Sequence, residues 1–337
     1  MIRPPSLRKG DKIAIVSPAR CISFEEVHPA IRFFQRHELE VVLGSYVFNR
    51  NHQAAGTDDQ RRRDFQHMLD DDEIRAIVCS RGEYGTLRII DKLDFTRFCE
   101  HPKWIVGYSD ITVLHGHIQQ QFDIESLHAV MPVNIGDQTS EDTLHTLVSA
   151  LFGKRISYSY PAAALSRSGI AEGELVGGNL SILYALQGSV SMPDTRGRIL
   201  FIEDVDEYLY HIDRMMMNLK RTGKLERLAG LVVGGMTQMR DNTVPFGRTA
   251  EEIIAEMVKE YKYPVLFGFP AGHQAENMPL ILGREATLEI SGQAGALSFS
   301  TKTNLRGKAR FQLKPLAYIA GFFALLYLLY ALLTGNL

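Results

Sequence analysis

The residues best suited to covalent chemistry lie in the segment 104–112, which reads WIVGYSDIT. A short apolar stretch leads into Gly107, and Ser109 then precedes a pattern typical of a helix. A serine at such a turn exposes its hydroxyl, and the free N–H groups of the first helical turn point to where an oxyanion would form. This is the geometry of a nucleophile elbow, although Ile111 replaces the last glycine of G-x-S-x-G. Alternatively, Ser109 is only a helix N-cap, a position that serine favours.

A serine nucleophile needs a general base, and the base needs a third group to hold it. Among 11 histidines, His273 lies in a loop rich in proline and glycine, FGFPAGHQAENMPL, where functional side chains are commonly displayed. Glu203 ends the apolar pattern RILFIE, and a carboxylate there can fix the tautomer of an imidazole. His115 and His117 follow the elbow on different faces of a helix, a poor arrangement for a metal site. Taken singly, each residue has an ordinary structural explanation.

The composition excludes several classes of protein. The chain has 337 residues, enough for two domains, and its 45% apolar and 23% charged residues exclude a largely disordered chain. A net charge of -2 gives no reason to expect a nucleic acid partner. Cys21, Cys79 and Cys99 match neither a disulfide framework nor a zinc site, and they predict reduced thiols in a reducing compartment. With no metal-binding motif, we expect neither a metal nor another cofactor.

The first half of the chain alternates between apolar strand patterns and helix patterns. This alternation predicts a parallel sheet covered on both faces, in a Rossmann- or flavodoxin-like domain. Further strand patterns after the glycine-rich segment 173–179 predict a second α/β domain. The predicted divisions are an N-terminal domain at 1–155 with Ser109, a linker at 156–170, a C-terminal domain at 171–305 with Glu203 and His273, and a tail at 306–337.

The tail contains a run that is apolar enough to cross a membrane. Residues 316–333, LAYIAGFFALLYLLYALL, carry no charge, and a helix of this length spans roughly 27 Å, close to the thickness of a bilayer core. The run follows the basic residues Arg306, Lys308, Arg310 and Lys314. Because basic flanks stay in the cytoplasm, we predict a C-terminal transmembrane helix that tethers a cytoplasmic body to the inner membrane. The alternative is an amphipathic or buried helix, although the run is apolar on every face.

Five segments in a fixed order resemble one family of peptidases. They are GDKIAIVSPA, WIVGYSDIT, VGGNLSIL, LFIEDVDEYLYHIDRM and FPAGHQAENMPLILG, and the likeness covers about residues 2–289. Together they are similar to the LD-carboxypeptidase family of serine peptidases. The resemblance implies that Ser109 is the nucleophile, that His273 is the general base and that Glu203 orients the base.

The same resemblance implies two backbone donors for the oxyanion. One is the N–H of Asp110, and the other comes from a turn that reads R-G-G-Y-G in the family and R-G-E-Y-G at 81–85 here. Gly82 is kept, so we expect its N–H to remain a donor, but Glu83 replaces the second glycine. If that position requires a positive φ, glutamate costs on the order of 1 kcal/mol in strain. Its carboxylate would also disfavour a nearby oxyanion.

The family implies hydrolysis of an amide between an L-centre and a terminal D-amino acid. In murein tetrapeptide this reaction releases D-alanine during cell-wall recycling, so we expect a murein peptide as substrate, and the family also suggests a homodimer. Two alternatives stay open. Related self-immunity peptidases share these motifs and cleave toxic peptide–nucleotide conjugates. A non-catalytic protein that binds muropeptides would belong to another class, but it would not need the complete set of Ser, Glu and His.

Overall fold

The computed structural model describes residues 1–136 and 139–301, which form two β-sheets with helices packed on them. The strands are β1 (Lys12–Val16), β2 (Glu40–Leu43), β3 (Ile74–Cys79), β4 (Trp104–Gly107), β5 (Ser126–His128), β6 (Ser157–Pro161), β7 (Gly169–Asn179), β8 (Ile199–Val205), β9 (Gly230–Thr237), β10 (Val265–Phe267), β11 (Leu280–Leu282), β12 (Glu285–Ser291) and β13 (Ala294–Phe299). The α-helices are α1 (Phe24–Arg36), α2 (Asp58–Asp70), α3 (Thr96–Glu100), α4 (Thr112–Phe122), α5 (Glu141–Leu151), α6 (Leu180–Ala185), α7 (Leu209–Arg221) and α8 (Ala250–Met257).

The first sheet has the strand order β11-β5-β4-β3-β1-β2. Its five strands from the N-terminal half run parallel, and β11 pairs antiparallel with β5. β3 and β4 are short apolar strands with nearly every residue buried, as parallel strands covered on both faces require. The turn 81–85 follows β3 and Ser109 follows β4, so both segments lie at the same edge of this sheet.

The second sheet is mixed, with the order β10-β9-β8-β7-β12-β13-β6. β10, β9, β8 and β7 run parallel, whereas β12, β13 and β6 continue the sheet with antiparallel pairs. Glu203 lies near the carboxyl end of β8. The loop that carries His273 follows β10. The parallel part of this sheet therefore presents both residues at one edge.

Two short strands connect the two halves of the chain, because each pairs with a sheet formed mainly by the other half. β11 comes after the His273 loop, yet it pairs with β5 of the first sheet. β6 lies in the segment predicted as a linker, and it pairs with β13 at the edge of the second sheet. The His273 loop is consequently anchored at both ends, by β10 in one sheet and by β11 in the other. The domain boundaries given above stay predictions.

Local capping explains where two of the helices begin. Thr57 caps α2, because its side chain accepts from the backbone of Gln60 and the side chain of Gln60 accepts from the backbone of Thr57. Ser23 and Glu26 form the same reciprocal arrangement at the start of α1. Each capping box satisfies backbone donors that a helix end leaves free.

The fold class predicted from the sequence needs correction at its C-terminal element. Among residues 1–136 and 139–301, no helix is long and apolar enough to cross a membrane. The predicted transmembrane segment at 316–333 lies outside the described residues. The structure supports a mixed α/β fold with two sheets. It does not support a C-terminal transmembrane helix or attachment to the inner membrane, and both predictions are corrected accordingly.

Candidate active site

Ser109 sits in a strained turn between β4 and α4. Gly107 ends the strand, and Ser109 has a φ of 63°, in the left-handed region that L-residues other than glycine rarely adopt. Ser109 starts a 3-10 turn, Ser109–Ile111, that leads into α4, while Tyr108 and Ile111 occupy the N-cap positions of the turn and the helix. The alternative role of Ser109 as a simple N-cap is therefore not what the structure shows. Strain of this kind is concentrated at functional sites.

Glu203 and His273 form a buried pair. The carboxylate of Glu203 is fully buried, and its Oε2 accepts from His273 Nδ1 at 2.7 Å and from the backbone N–H of His273 at 3.1 Å. A Cβ on Gly272, which has a φ of 107°, would lie 2.6 Å from this oxygen. Only glycine therefore lets the loop approach Glu203 closely enough to make both hydrogen bonds.

The two members of this pair shift each other's pKa toward their charged forms. Burial alone would raise the pKa of Glu203, but the neighbouring His273 outweighs burial and holds the pKa below its ordinary value. Burial would likewise lower the pKa of His273, but the charge of Glu203 and their hydrogen bond raise it above 6.5. Because Nδ1 is engaged by Glu203, Nε2 is the nitrogen of His273 that can accept a proton from a hydroxyl.

The elbow and the His273 loop meet at Tyr108. The ring of Tyr108 lies 4.8 Å, between centroids, from the ring of His273. Tyr108 is buried and directly precedes Ser109. The first sheet thus brings the residue that precedes Ser109 against the imidazole that the second sheet holds through Glu203.

Gly82 packs directly against the elbow. A Cβ built on Gly82 would lie 2.9 Å from Ser109 Cβ, 3.1 Å from Ser109 Oγ and 3.4 Å from the backbone N of Asp110. The side chain of Asp110 is buried, and its Oδ2 accepts from the backbone N–H of Thr86 at 2.8 Å. Burial raises the pKa of Asp110, against the opposing hydrogen bonds of Thr86. The two predicted oxyanion donors therefore belong to neighbouring turns, and the Asp110 side chain ties those turns together.

Glu83 occupies a position that does require a positive φ. Its φ is 78°, and Gly85 two residues later has a φ of 150°. The carboxylate of Glu83 is held between two guanidinium groups, that of Arg20 and that of Arg81, whose Nη2 lies 3.0 Å from Glu83 Oε1. The expected strain is thus present. The negative charge that would oppose an oxyanion is compensated by two arginines, which the sequence did not indicate.

The polar groups that surround Glu203 were not among the residues predicted from the sequence to form the site. Asp204 accepts from Asn179 Nδ2 at 2.9 Å and from Ser181 Oγ at 2.7 Å. Burial, together with the charge of Glu203, raises the pKa of Asp204 to about 6. The motifs VGGNLSIL and IEDVDE contain these residues. Their place in motifs of the family is therefore the sequence feature that could have indicated a role for them. His128 is a further buried neighbour, with its ring 5.7 Å from that of Tyr108.

The histidines that follow the elbow do not form a metal site. His115 is fully buried, and its ring nitrogens bond to Ser126 Oγ and to the carbonyl of Gly107. His117 bonds to Ser191 Oγ instead. In the part of the chain that the structure describes, no group of three or more His, Cys, Asp or Glu side chains could hold a metal ion.

The chain is similar to known proteins over most of its length. Residues 13–129 match a family profile described as the LD-carboxypeptidase N-terminal domain, and residues 172–288 match the corresponding C-terminal domain. The chain is 34% identical to a probable murein peptide carboxypeptidase of Bacillus subtilis, over 88% of this chain and 94% of that protein. It is 24% identical to the microcin C7 self-immunity protein MccF of Escherichia coli, over 85% of this chain and 93% of that protein. A crystal structure of muramoyltetrapeptide carboxypeptidase from Oxalobacter formigenes superimposes with a TM-score of 0.78 at 26% identity, covering 86% of this chain and 98% of that chain.

The strain at Ser109 predicts an unusual order of stability among its variants. Ser109→Gly removes the cost of the left-handed conformation and Ser109→Ala keeps it, so we expect the glycine variant to be more stable by about 1 kcal/mol. Urea unfolding of both variants measures this difference. At Ser149, inside α5, the order should reverse because glycine is a poor helix former. A Ser109→Gly variant no more stable than Ser109→Ala would show that the elbow carries no such strain.

Proposed function

Because this chain belongs to the LD-carboxypeptidase family and is a serine-type carboxypeptidase, we propose that Ser109, His273 and Glu203 cleave an L,D-amide bond and release the terminal D-alanine of murein tetrapeptide. The observation that carries the proposal is the buried Glu203–His273 pair beside a strained serine turn. The names of the relatives from Bacillus subtilis and Oxalobacter formigenes support a murein peptide as the substrate. Such an activity belongs to cell-wall recycling.

In the first step of this mechanism, Ser109 Oγ attacks the amide carbonyl while its proton moves to His273 Nε2. The imidazolium that forms is stabilised by Glu203, whose Oε2 already accepts from Nδ1 at 2.7 Å. Since Glu203 is buried, little water screens this attraction, and the tautomer of His273 is fixed before the substrate arrives. Glu203 keeps its negative charge throughout and takes no proton.

The carbonyl oxygen becomes an oxyanion that the backbone N–H groups of Gly82 and Asp110 stabilise. Collapse of the tetrahedral intermediate breaks the C–N bond, and His273 returns the proton to the amine of the departing D-alanine. Water then attacks the acyl-enzyme, with His273 taking a proton from the water and passing it back to Ser109. The arginines that neutralise Glu83 keep this region from repelling the oxyanion.

Similarity to a self-immunity protein supports a second candidate function. MccF of Escherichia coli is 24% identical to this chain, so cleavage of a peptide–nucleotide conjugate is the alternative activity of the same site. It would use the same nucleophile and base, and only the group beyond the scissile amide would differ. An assay with the two substrates can therefore distinguish the two functions, whereas mutation of Ser109, His273 or Glu203 cannot.

Incubation of the full chain with murein tetrapeptide, followed by mass spectrometry, tests the proposed reaction. We expect the loss of one alanine from the tetrapeptide, and no loss with Ser109→Ala, because no other hydroxyl replaces the nucleophile. A tetrapeptide that ends in L-alanine should stay intact. Cleavage of a peptide–nucleotide conjugate in place of the tetrapeptide would favour the alternative function, and full turnover by Ser109→Ala would exclude the mechanism.

The raised pKa of His273 predicts the acidic limb of the pH profile. The base must be neutral, so kcat/KM falls as the pH drops through the pKa of His273, and the limb should lie above pH 6.5. In Glu203→Gln the charge of the partner is gone and only the charge of Asp204, the smallest of the raising effects, still opposes burial, so the pKa of His273 should fall below 6.5. Histidine NMR titration of both proteins measures the two values. A wild-type limb below pH 6.5 would contradict the role given to Glu203.

Gly82 provides a test of the oxyanion turn. In Gly82→Ala the new methyl would lie 2.9 Å from Ser109 Cβ and 3.1 Å from Ser109 Oγ, so the two turns must move apart. We expect kcat to fall at least about 100-fold, the order of magnitude for the loss of one oxyanion donor. Gly136→Ala is the matched control, because a Cβ there meets nothing within 4 Å. Unchanged turnover in Gly82→Ala would remove Gly82 from the oxyanion site.

A further inference from the structure

Four buried polar atoms lie together behind the Glu203–His273 pair. They are the two ring nitrogens of His128, Oε1 of Glu203 and Nδ2 of Asn277. None of them meets the geometry of a hydrogen bond among residues 1–136 and 139–301, although Asn277 and Glu203 both lie close enough to His128 to act on its pKa. All three side chains are buried. An unpaired buried donor or acceptor costs roughly 1–3 kcal/mol, so such atoms are normally bonded to each other or to an ordered water.

His128 lies where the elements that carry the active-site residues converge. It is the last residue of β5, and its register partners are Gly107 at the end of β4 and Leu280 at the start of β11. β4 leads into the Ser109 elbow, and β11 follows the His273 loop. The ring of His128 packs edge-on against Phe201 of β8, at 5.0 Å between centroids, two residues before Glu203.

The amide of Asn277 is oriented by the loop that carries His273. Its Oδ1 accepts from the backbone N–H of Gly272 at 2.8 Å, which makes Nδ2 the end that is left to donate. Gly272 in turn packs on Glu203, because a Cβ there would lie 2.6 Å from Glu203 Oε2. One end of the amide therefore fixes the loop, and the other is a donor inside the polar cluster.

The hydrogen-bonding capacities of the cluster match. Burial lowers the pKa of His128 to about 4, although Glu203 and Asn277 act in the opposite direction, so the ring is neutral near pH 7. A neutral imidazole has one donor and one acceptor. Asn277 Nδ2 can donate to the accepting nitrogen of His128, and the N–H of His128 can donate to Glu203 Oε1. This order gives a partner to all four atoms.

We propose that His128 and Asn277 are positioning residues, which hold Glu203 Oε1 through hydrogen bonds that run from Asn277 to His128 to Glu203, directly or through one ordered water. Glu203 is then fixed by both of its oxygens, since Oε2 already accepts from His273. A carboxylate that is held at only one oxygen can rotate about that contact. Such a rotation would move the negative charge of Glu203 and, with it, the imidazole of His273. His128 touches neither substrate nor nucleophile and acts only through Glu203.

This inference rests on the proposed function, because His128 has its role only through the Glu203–His273 pair. The test therefore begins with a measurement that needs no substrate. The pKa of His273 is measured by NMR in the full chain with labelled histidines, and its signal is assigned by its loss in His273→Gln. The charged or titratable groups that face His273 are Glu203 and Asp204 from β8, Tyr108 from the elbow and His128 from β5.

His128→Phe keeps a ring against Phe201 and removes both nitrogens. Glu203 then loses the donor to its Oε1 and its charge is compensated by His273 alone, so the pKa of His273 should rise by about 0.5 to 1 unit. With murein tetrapeptide, kcat should fall about 10- to 100-fold while KM changes less than about threefold. His128→Gln, which can still donate and accept, should recover most of the activity.

His117→Phe is the matched control, because it removes a buried histidine that bonds to Ser191 and leaves the Glu203 cluster untouched. It should leave the pKa of His273 as in the wild type. If His128→Phe does not fold, as judged by thermal unfolding, the same titration is made on Asn277→Ala, where a smaller rise is expected. An unchanged pKa of His273 in the folded variant overturns the inference.

The two proposals can fail separately. A wild-type chain that does not cleave tetrapeptide, together with a shifted pKa of His273 in His128→Phe, would overturn the proposed substrate and support the positioning role. Cleavage of tetrapeptide by the wild type, with no shift of the pKa in His128→Phe, would support the function and overturn the role of His128. Equal losses of kcat in His128→Phe and His128→Gln without a shift would also contradict the inference.

Discussion

The arrangement of this site depends on a carboxylate that the fold has removed from water. An isolated buried charge is costly, and it is tolerated only where donors surround it. Glu203 meets this requirement with one oxygen, which accepts from both the side chain and the backbone of His273. The position of the loop follows from these two hydrogen bonds, since Gly272 is the residue that lets the backbone come close enough. The tautomer of His273 and the direction of its Nε2 follow from them as well.

A second constraint is the strain shared by the two turns that face each other. Ser109 and Glu83 both have a positive φ, and neither is a glycine. Such conformations persist only when the surrounding contacts determine them. Here the buried Asp110 joins the elbow to the turn 81–85 through Thr86, and Arg20 and Arg81 hold the Glu83 side chain. The departure of Glu83 from the family motif is thus accompanied by local compensation of its charge.

The topology explains why residues far apart in the sequence meet. In sheets of this type, ligands bind beyond the carboxyl ends of parallel strands. β3 and β4 present Gly82 and Ser109 at such an edge of the first sheet, and β8 presents Glu203 at such an edge of the second. β11 joins the first sheet after the His273 loop, which keeps the loop between the two sheets. Because β5 pairs with both β4 and β11, His128 lies beside the strand that leads into the elbow and beside the strand that follows the His273 loop.

The family, the enzyme class and the short apolar strands could be inferred from the amino-acid sequence without the structure. Local signals are sufficient for short elements, since the cap at Thr57 and the strand β3 depend on residues that are neighbours in the sequence. Motif order indicated Ser109, Glu203 and His273, although their roles stay proposals. Four features became visible only in the folded chain: the positive φ of Glu83, its two arginine partners, the mixed second sheet and the burial of His128 beside Glu203. Each of these depends on which distant segments pair, and that choice is made by packing and long-range hydrogen bonds, which leave no periodic pattern in the sequence. The apolar tail is a case in which a local pattern was misleading, because its composition led to a transmembrane prediction that the described structure does not support.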